Sequence, residues 1–419
     1  MGNPQFSPQK GGSIMESGEY KSYGYRWVAL AVFALIQASI QVLWSSFLPI
    51  TSEAADFYGV TPLMIGLLSM LFMIVYVFTS LPSSWAIATF GVRKGMGFGV
   101  ILMGVFGPVR GLFGHNFAIV LIATVMLSIA QPFIINAITT MSARWFPVHE
   151  RATATGIAML AQFIGIMAGM AVSPVLAGSL GIKAMLIWYG ALAFAAFIIF
   201  FVFYREKPPT PPSASEKAER FVMREGLKHV FKTREGVFLL VIFSLGLATF
   251  NTVSTWIEQI IIPRGFNSMQ AGSLGGIMMV SGIVGCIVLP LLSDKTRRRK
   301  PYLLFGVAMI VPGLLGFTFF QSFALLLLAG AALGFFQLGL APIFMEVASD
   351  VCKPAPEATS QGVLWMFGQG ISVLFIFLMD YFRTESGAMT PLLLVLISLM
   401  ALSFALVALM QESRMTASN

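Results

Sequence analysis

Residues Arg205–Glu235 read REKPPTPPSASEKAERFVMREGLKHVFKTRE. The stretch is dense in charge, proline and serine, and it lies near the middle of a 419-residue chain. On either side run long apolar segments with few charges. Such a contrast marks a water-exposed linker between two membrane-embedded halves. Hydrophobic residues make up 57% of the chain and charged residues 11%, against roughly 25% charged in soluble domains. Mean hydropathy is +0.84. The apolar segments are about 20 residues or longer, which indicates transmembrane helices rather than the shorter alternating strands of a barrel.

Polar punctuation separates twelve such segments, at about 26–50, 62–89, 95–113, 117–141, 152–178 and 182–204, then 236–262, 270–292, 301–320, 323–349, 359–381 and 388–411. Each is long enough for a hydrocarbon core of ~30 Å and must be helical, because lipid satisfies no backbone hydrogen bond. The expected organisation is a tail over 1–25, a six-helix half over 26–204, the linker over 205–235, a second half over 236–411 and a tail over 412–419. Very short connections near Gly181 and Gln321-Ser322 predict tight helical hairpins.

Basic residues set the expected orientation. With the N-terminus cytoplasmic, 22 of the 26 lysines and arginines fall inside and only Arg110, Lys183, Arg264 and Arg383 towards the outside. Both termini and the linker are therefore expected in the cytoplasm, in a multi-pass protein of the plasma (cell inner) membrane. The net charge of +8 is an inside anchor that anionic lipid reinforces. It does not call for nucleic acid. The linker's proline run from Pro208 to Pro212 predicts an extended segment, and Ala218–Lys232 a basic amphipathic helix on the inner leaflet. The first twenty residues have no apolar h-region, so no cleaved signal peptide is expected.

The halves repeat. Gln131 and Gln337, Glu150 and Glu357, and Gln162 and Gln369 each stand 206 or 207 residues apart. Three matches at one offset argue for duplicated six-helix units.

Polar residues recur at helical spacing inside apolar segments. Gln37, Gln41, Trp44 and Ser45 share a face of the first segment, and Ser128, Gln131, Asn136 and Thr139 line the fourth. Asn251, Ser254, Thr255 and Glu258 lie on the seventh, and Gln361, Trp365, Gln369 and Ser372 on the eleventh. Stripes on four comparable segments point to a shared wet cavity, whereas isolated ones point to interhelical hydrogen bonds. Ionisable residues at membrane depth are rarer. Arg110, Glu346 and Asp380 sit near segment ends and read as structural or interfacial. Glu258 is expected on the cavity face of its stripe, holding a cation or, if burial raises its pKa, a proton.

Other chemistry is excluded or unsupported. Cys286 and Cys352 lie on different segments without metal-ligand spacing. His115, His149 and His229 all fall in loops or the linker, so no transmembrane haem ligand or proton relay is expected. There is no phosphate-binding GxxxxGK[ST] loop, which disfavours ATP-driven transport. No nucleophile–base pair indicates an enzyme. No cofactor, metal or catalytic residue is expected, and a monomer is.

The loop Ser293-Asp294-Lys295-Thr296-Arg297-Arg298-Arg299-Lys300 places an acid at a helix end before a basic cluster. It resembles the signature loop of the major facilitator superfamily, whose halves rock about a central site. The matching first-half loop, Phe90-Gly91-Val92-Arg93-Lys94, keeps glycine and basic residues but has Ala88 where the family has aspartate. The resemblance implies a cytoplasmic latch drawn from Asp294, Arg297, Arg298, Arg93, Glu150, Arg151 and Glu357.

Further pieces narrow the resemblance: Arg26-Trp27, Trp44, Phe57-Tyr58-Gly59-Val60, Ser69-Met70, Tyr76, Ala130-Gln131, Trp145-Phe146, Val253-Ser254-Thr255, Gly334-Phe335-Phe336 and Gln369. Together they are similar to the feline leukaemia virus subgroup C receptor branch of that superfamily. Members are associated with choline and ethanolamine transport and some with haem export. The resemblance implies a quaternary-ammonium site with a tryptophan on helix 1, a tyrosine on helix 7 and glutamines on helices 4 and 11. Trp44, Gln131 and Gln369 match. The helix 7 aromatic falls at Phe250 or Asn251, and an asparagine expected before the tryptophan is Ile40.

The expected function is transport of a small polar or cationic solute by alternating access, with aromatic faces and glutamines as its receptor. Facilitated diffusion and proton coupling through Glu258 both stay open. Organic anions, hydrophobic drugs and haem are the competing solutes. A non-transporting receptor would carry an extra soluble domain, for which the tails and linker are too short.

Overall fold

The computed structural model describes residues 23–210, 231, 233–351 and 357–410. Twelve helices in it are long and apolar enough to cross a membrane, six on each side of the linker. The all-α expectation holds, since no strand occurs among the described residues. The expected linker helix, apart from residue 231, lies outside them.

In the first half the elements are α1 (Tyr25–Ser45), α2 (Thr51–Tyr58), α3 (Pro62–Phe90), α4 (Val92–Leu112), α5 (Phe117–Ile135), α6 (Ile138–Trp145), α7 (Val148–Leu180) and α8 (Ile182–Phe203). In the second they are α9 (Arg234–Thr255), α10 (Ile257–Ile261), α11 (Ser268–Thr296), α12 (Lys300–Phe319), α13 (Phe323–Val351), α14 (Glu357–Tyr381) and α15 (Thr390–Leu409). Even numbers of crossings bring the start, the linker ends and the end of the chain to one face. We call this the basic face, and the opposite one the far face.

Boundaries depart from the sequence reading where helices break. The first crossing does not stop near residue 50. It turns through a 3-10 helix, Leu48–Ile50, into α2. The seventh breaks at Trp256 instead of running on to 262, and then passes through α10 and a 3-10 turn, Ile262–Arg264. Both far-face excursions end on a left-handed glycine, Gly59 at φ 66° and Gly265 at φ 83°. A side chain there would meet the steric cost that confines this region to glycine. The fourth crossing also breaks, at Asn136-Ala137, just after Pro132 removes a helical donor. Broken helices of this kind free backbone groups, which protein must satisfy because lipid cannot.

Arg110 meets one such need. It is 1% exposed. Its Nη1 donates to Leu43 O at 2.8 Å and its Nη2 to Ser46 Oγ at 3.0 Å. The guanidinium lies over the Phe47 ring, 4.7 Å from its centroid. A cation thus sits where the α1 backbone dipole ends and its carbonyls come free. Arg110→Met is expected to cost about 2–3 kcal/mol, the worth of a charged hydrogen bond plus an orphaned carbonyl. Thermal unfolding in detergent checks this, with Arg110→Lys as the partial rescue.

Candidate functional site

A cavity of about 300 Å³ lies between the halves, at the small end of the range for ligand pockets. Its walls come from α1, α3, α5, α6 and α7 of one half and α9, α12, α13, α14 and α15 of the other. The lining runs from Trp44 and Asn251 to Ser84, Thr139 and Gly362, so the cavity extends towards the basic face.

Gln41, Trp44, Gln131, Asn136, Phe250, Asn251, Trp365 and Gln369 all line it. Trp44 is 7% exposed, and its indole N–H donates to Ser69 O at 3.4 Å. That bond ties the ring to α3. Across the cavity Trp365 packs edge-on against Phe243, with centroids 5.9 Å apart and planes at 72°.

The amides form two ordered sets. Gln131 Nε2 donates to Gln41 Oε1 at 3.4 Å, and Gln41 Nε2 to Gln162 Oε1 at 3.1 Å. In the other half Asn251 Nδ2 donates to Gln369 Oε1 at 3.1 Å and to Ser372 Oγ at 3.0 Å. Both sets use donors of one amide and the carbonyl of the next. The carbonyl oxygens of Gln131 and Asn251 make neither bond and are left for a solute donor. Asn136 differs. Its Oδ1 accepts from Tyr76 Oη, and its Nδ2 donates to Ser80 and Ser83. It borders the cavity, but its polar atoms are spent on joining the α5–α6 break to α3.

Two expected residues are elsewhere. Gln37 is fully buried and donates from Nε2 to Ile134 O at 3.0 Å. One turn from Gln41, it meets the frayed end of α5 instead of the cavity. Glu258 is also fully buried and off the cavity, because the break at Trp256 carries it beyond the end of its crossing at Thr255. It faces Ser52, whose N–H donates to its Oε2 at 2.7 Å. No charged side chain lines the cavity among the described residues.

Sequence reasoning passed over Gln162 and Gln337 as site residues, although it used both as markers of the repeat. Gln337 lines the cavity and donates from Nε2 to Gly246 O. The repeat offset itself was the signal that could have found them.

The latch residues also resolve differently. Asp294, Arg297 and Arg298 are exposed, and Arg297 ends α11 in the left-handed region at φ 51°. The cation that pairs is the next one, Arg299, with Glu346 at 3.0 Å. In the first half Arg26 pairs with Glu150 at 3.0 Å. The acid at the start of α4 is Glu206, just past α8. It pairs with Arg144 and accepts from the N–H groups of Val92 and Arg93 that open α4. Negative charge is favoured at that helix start. The Arg93 guanidinium reaches Phe201 O at 3.4 Å, and Arg151 Nε reaches Phe146 O at 3.4 Å. These contacts join helices within one half. The Glu357 side chain lies outside the described residues.

Comparison with known proteins gives the same frame. The Major Facilitator Superfamily profile matches residues 33–377. The chain is 27% identical to Solute carrier family 49 member A3 of Danio rerio, over 89% of this chain and 82% of that one. It is 27% identical to the Choline/ethanolamine transporter FLVCR1 of Mus musculus, over 86% of this chain and 71% of that one. Among solved structures, a bacterial homologue of the human lysosomal transporter Spinster, inward-facing and unoccupied, aligns with a TM-score of 0.72. It is 15% identical and covers 93% of this chain and 97% of its own.

Proposed function

We propose, for a chain that belongs to the Major Facilitator Superfamily, that it carries a small organic ammonium solute across a membrane by alternating access. The observation that carries this reading is the electrically neutral cavity, walled by Trp44, Phe250 and Trp365 and edged by glutamine and asparagine. A quaternary ammonium group donates no hydrogen bond, so π faces are its natural receptor. The amide carbonyls suit the hydroxyl or amine at the other end of a choline- or ethanolamine-like solute. The choline/ethanolamine relatives support the same class. An organic anion or the propionates of haem would meet no cationic side chain among the described lining residues. Aromatic and apolar lining alone would serve a hydrophobic drug, but the ordered amides add a polar requirement that such a solute leaves unmet.

We place the basic face in the cytoplasm of a plasma membrane and read the protein as a monomer. The cavity then opens inward, and the membrane potential drives a cation into the cell. Facilitated diffusion is favoured over proton coupling, because Glu258 lies outside the cavity.

Thermal-shift titration of the purified protein tests the solute class. Choline, ethanolamine and tetramethylammonium are expected to raise the melting temperature, and benzoate is not. At a ligand concentration about 100 times Kd the stabilisation is about 2.7 kcal/mol. Stabilisation by the carboxylate alone would sink the reading. In proteoliposomes, uptake of choline is expected to rise with an inside-negative potential.

A further inference from the structure

Three hydrogen bonds stitch the halves together at the far face. Ser52 N–H donates to Glu258 Oε2 at 2.7 Å, Gln259 Nε2 to Ser52 Oγ at 2.6 Å, and Ser268 Oγ lies 2.7 Å from Glu53 Oε1. Ser52 and Gln259 are 207 residues apart, the offset of the repeat. They are therefore equivalent positions, and their bond crosses the pseudo-two-fold axis between the halves.

Ser268 exposes an imbalance in this seam. Its Oγ is also 2.9 Å from Glu258 Oε1. A hydroxyl carries one hydrogen. It can donate to only one of the two carboxylates, so the other must bring a proton of its own. Glu53 is exposed on α2, whereas Glu258 is fully buried. The consistent arrangement is a neutral Glu258 donating to Ser268 Oγ, and Ser268 donating to an ionised Glu53. Burial pushes the Glu258 carboxyl up to about 7. The neighbouring Glu53 adds to the rise, while the Ser52 N–H, Ser268 and Gln259 oppose it.

The other charged groups nearby do not neutralise Glu258. Arg383 reaches Gln259 Oε1 and lies 4.0 Å from Asp380. Arg264 turns to the carbonyls of Phe317, Thr318 and Phe320. Asp56 is exposed on α2.

We propose that the Glu53–Ser268–Glu258 seam is a pH-sensitive gate that holds the far face closed while Glu258 is protonated. Opening separates Glu53 from Ser268, admits water and lets Glu258 ionise. The sign follows from linkage. Glu258 has the higher pKa in the closed seam, so its contribution is complete below the ordinary value of 4.5 and fades as pH rises through about 7. The seam meets solvent at exposed Glu53, while fully buried Trp256 stands in the chain between cavity-lining Asn251 and Glu258. In this gate protons reach Glu258 from the far side, where the seam meets solvent at Glu53, since Glu258 does not line the cavity. They shift the balance between open and closed and are not carried with the solute.

The test is a distance measurement that needs no solute, so it stands or fails separately from the choline-like reading. Spin labels are placed at Phe57→Cys and Met269→Cys, both exposed beside the seam, in a Cys286→Ala/Cys352→Ser background. Pulsed dipolar spectroscopy in nanodiscs is recorded at about pH 5.5 and about pH 8. Two pKa values of about 4.5 and 7 allow the open-to-closed ratio to rise about 25-fold over that range. Glu258→Gln, which stays neutral and can donate to Ser268, is expected to remain closed at both pH values. Glu53→Gln removes only the neighbouring carboxylate, so burial still raises Glu258 and the response is expected to shrink but persist. A distance distribution that ignores pH in the parent, or a pH response that survives Glu258→Gln, would overturn the gate.

Discussion

Trp44→Ala is expected to weaken binding of choline and of tetramethylammonium by about 30-fold, equivalent to ~2 kcal/mol for a desolvated cation–π contact. The ring lines the cavity at 7% exposure and is aligned by its bond to Ser69 O at 3.4 Å. Its contribution is therefore a fixed π face rather than a mobile one. Tetramethylammonium is the informative probe, since it offers nothing to the glutamines. Trp44→Phe keeps a weaker face and is expected to fall between. Calorimetric titration on protein shown to be folded by its melting transition gives the comparison. Equal affinity in the parent and Trp44→Ala would remove the ring from the site. A loss confined to choline would instead mean that Trp44 acts by positioning the Gln41–Gln131 amides.

How much of this was legible beforehand depends on distance along the chain. The twelve crossings follow from apolar length alone, because lipid leaves the backbone no other solution. Trp44, Gln41, Gln131 and Gln369 could be placed because helical spacing keeps a stripe on one face while the helix runs unbroken. Glu258 was misplaced for the same reason. The stripe from Asn251 extrapolates to it only if α9 continues, and α9 stops at Thr255. Gln37 failed differently. It lies on the right stripe, but the broken end of α5 claims it through Ile134 O. The basic-face ion pairs were the least legible. Glu206 and Glu346 reach their arginines through tertiary placement, and no local pattern marks either one.

Gly272→Val is expected to abolish transport while leaving a folded protein. Gly272 lies near the far-face start of α11, where it meets α7 of the other half. A Cβ there would stand 2.7 Å from Met170 O and 2.7 Å from Pro174 Cγ. Backbone oxygen and a proline ring cannot swing aside as a flexible side chain would. The two helices must therefore separate for even one methyl group to fit. Overpacking of this sort costs about 1–3 kcal/mol, and here the cost falls only on states in which the far face is closed. Gly272→Ala is expected to shift the opening equilibrium by roughly tenfold, and Gly272→Val to deny the closed state altogether. Choline binding should survive in both, because Gly272 does not line the cavity. Uptake should be slowed by the first substitution and lost with the second. The same spin-label pair across the seam would report a long distance for Gly272→Val at every pH, since the steric block acts downstream of Glu258. Wild-type uptake by Gly272→Val would show that the α7–α11 contact does not have to close during the transport cycle.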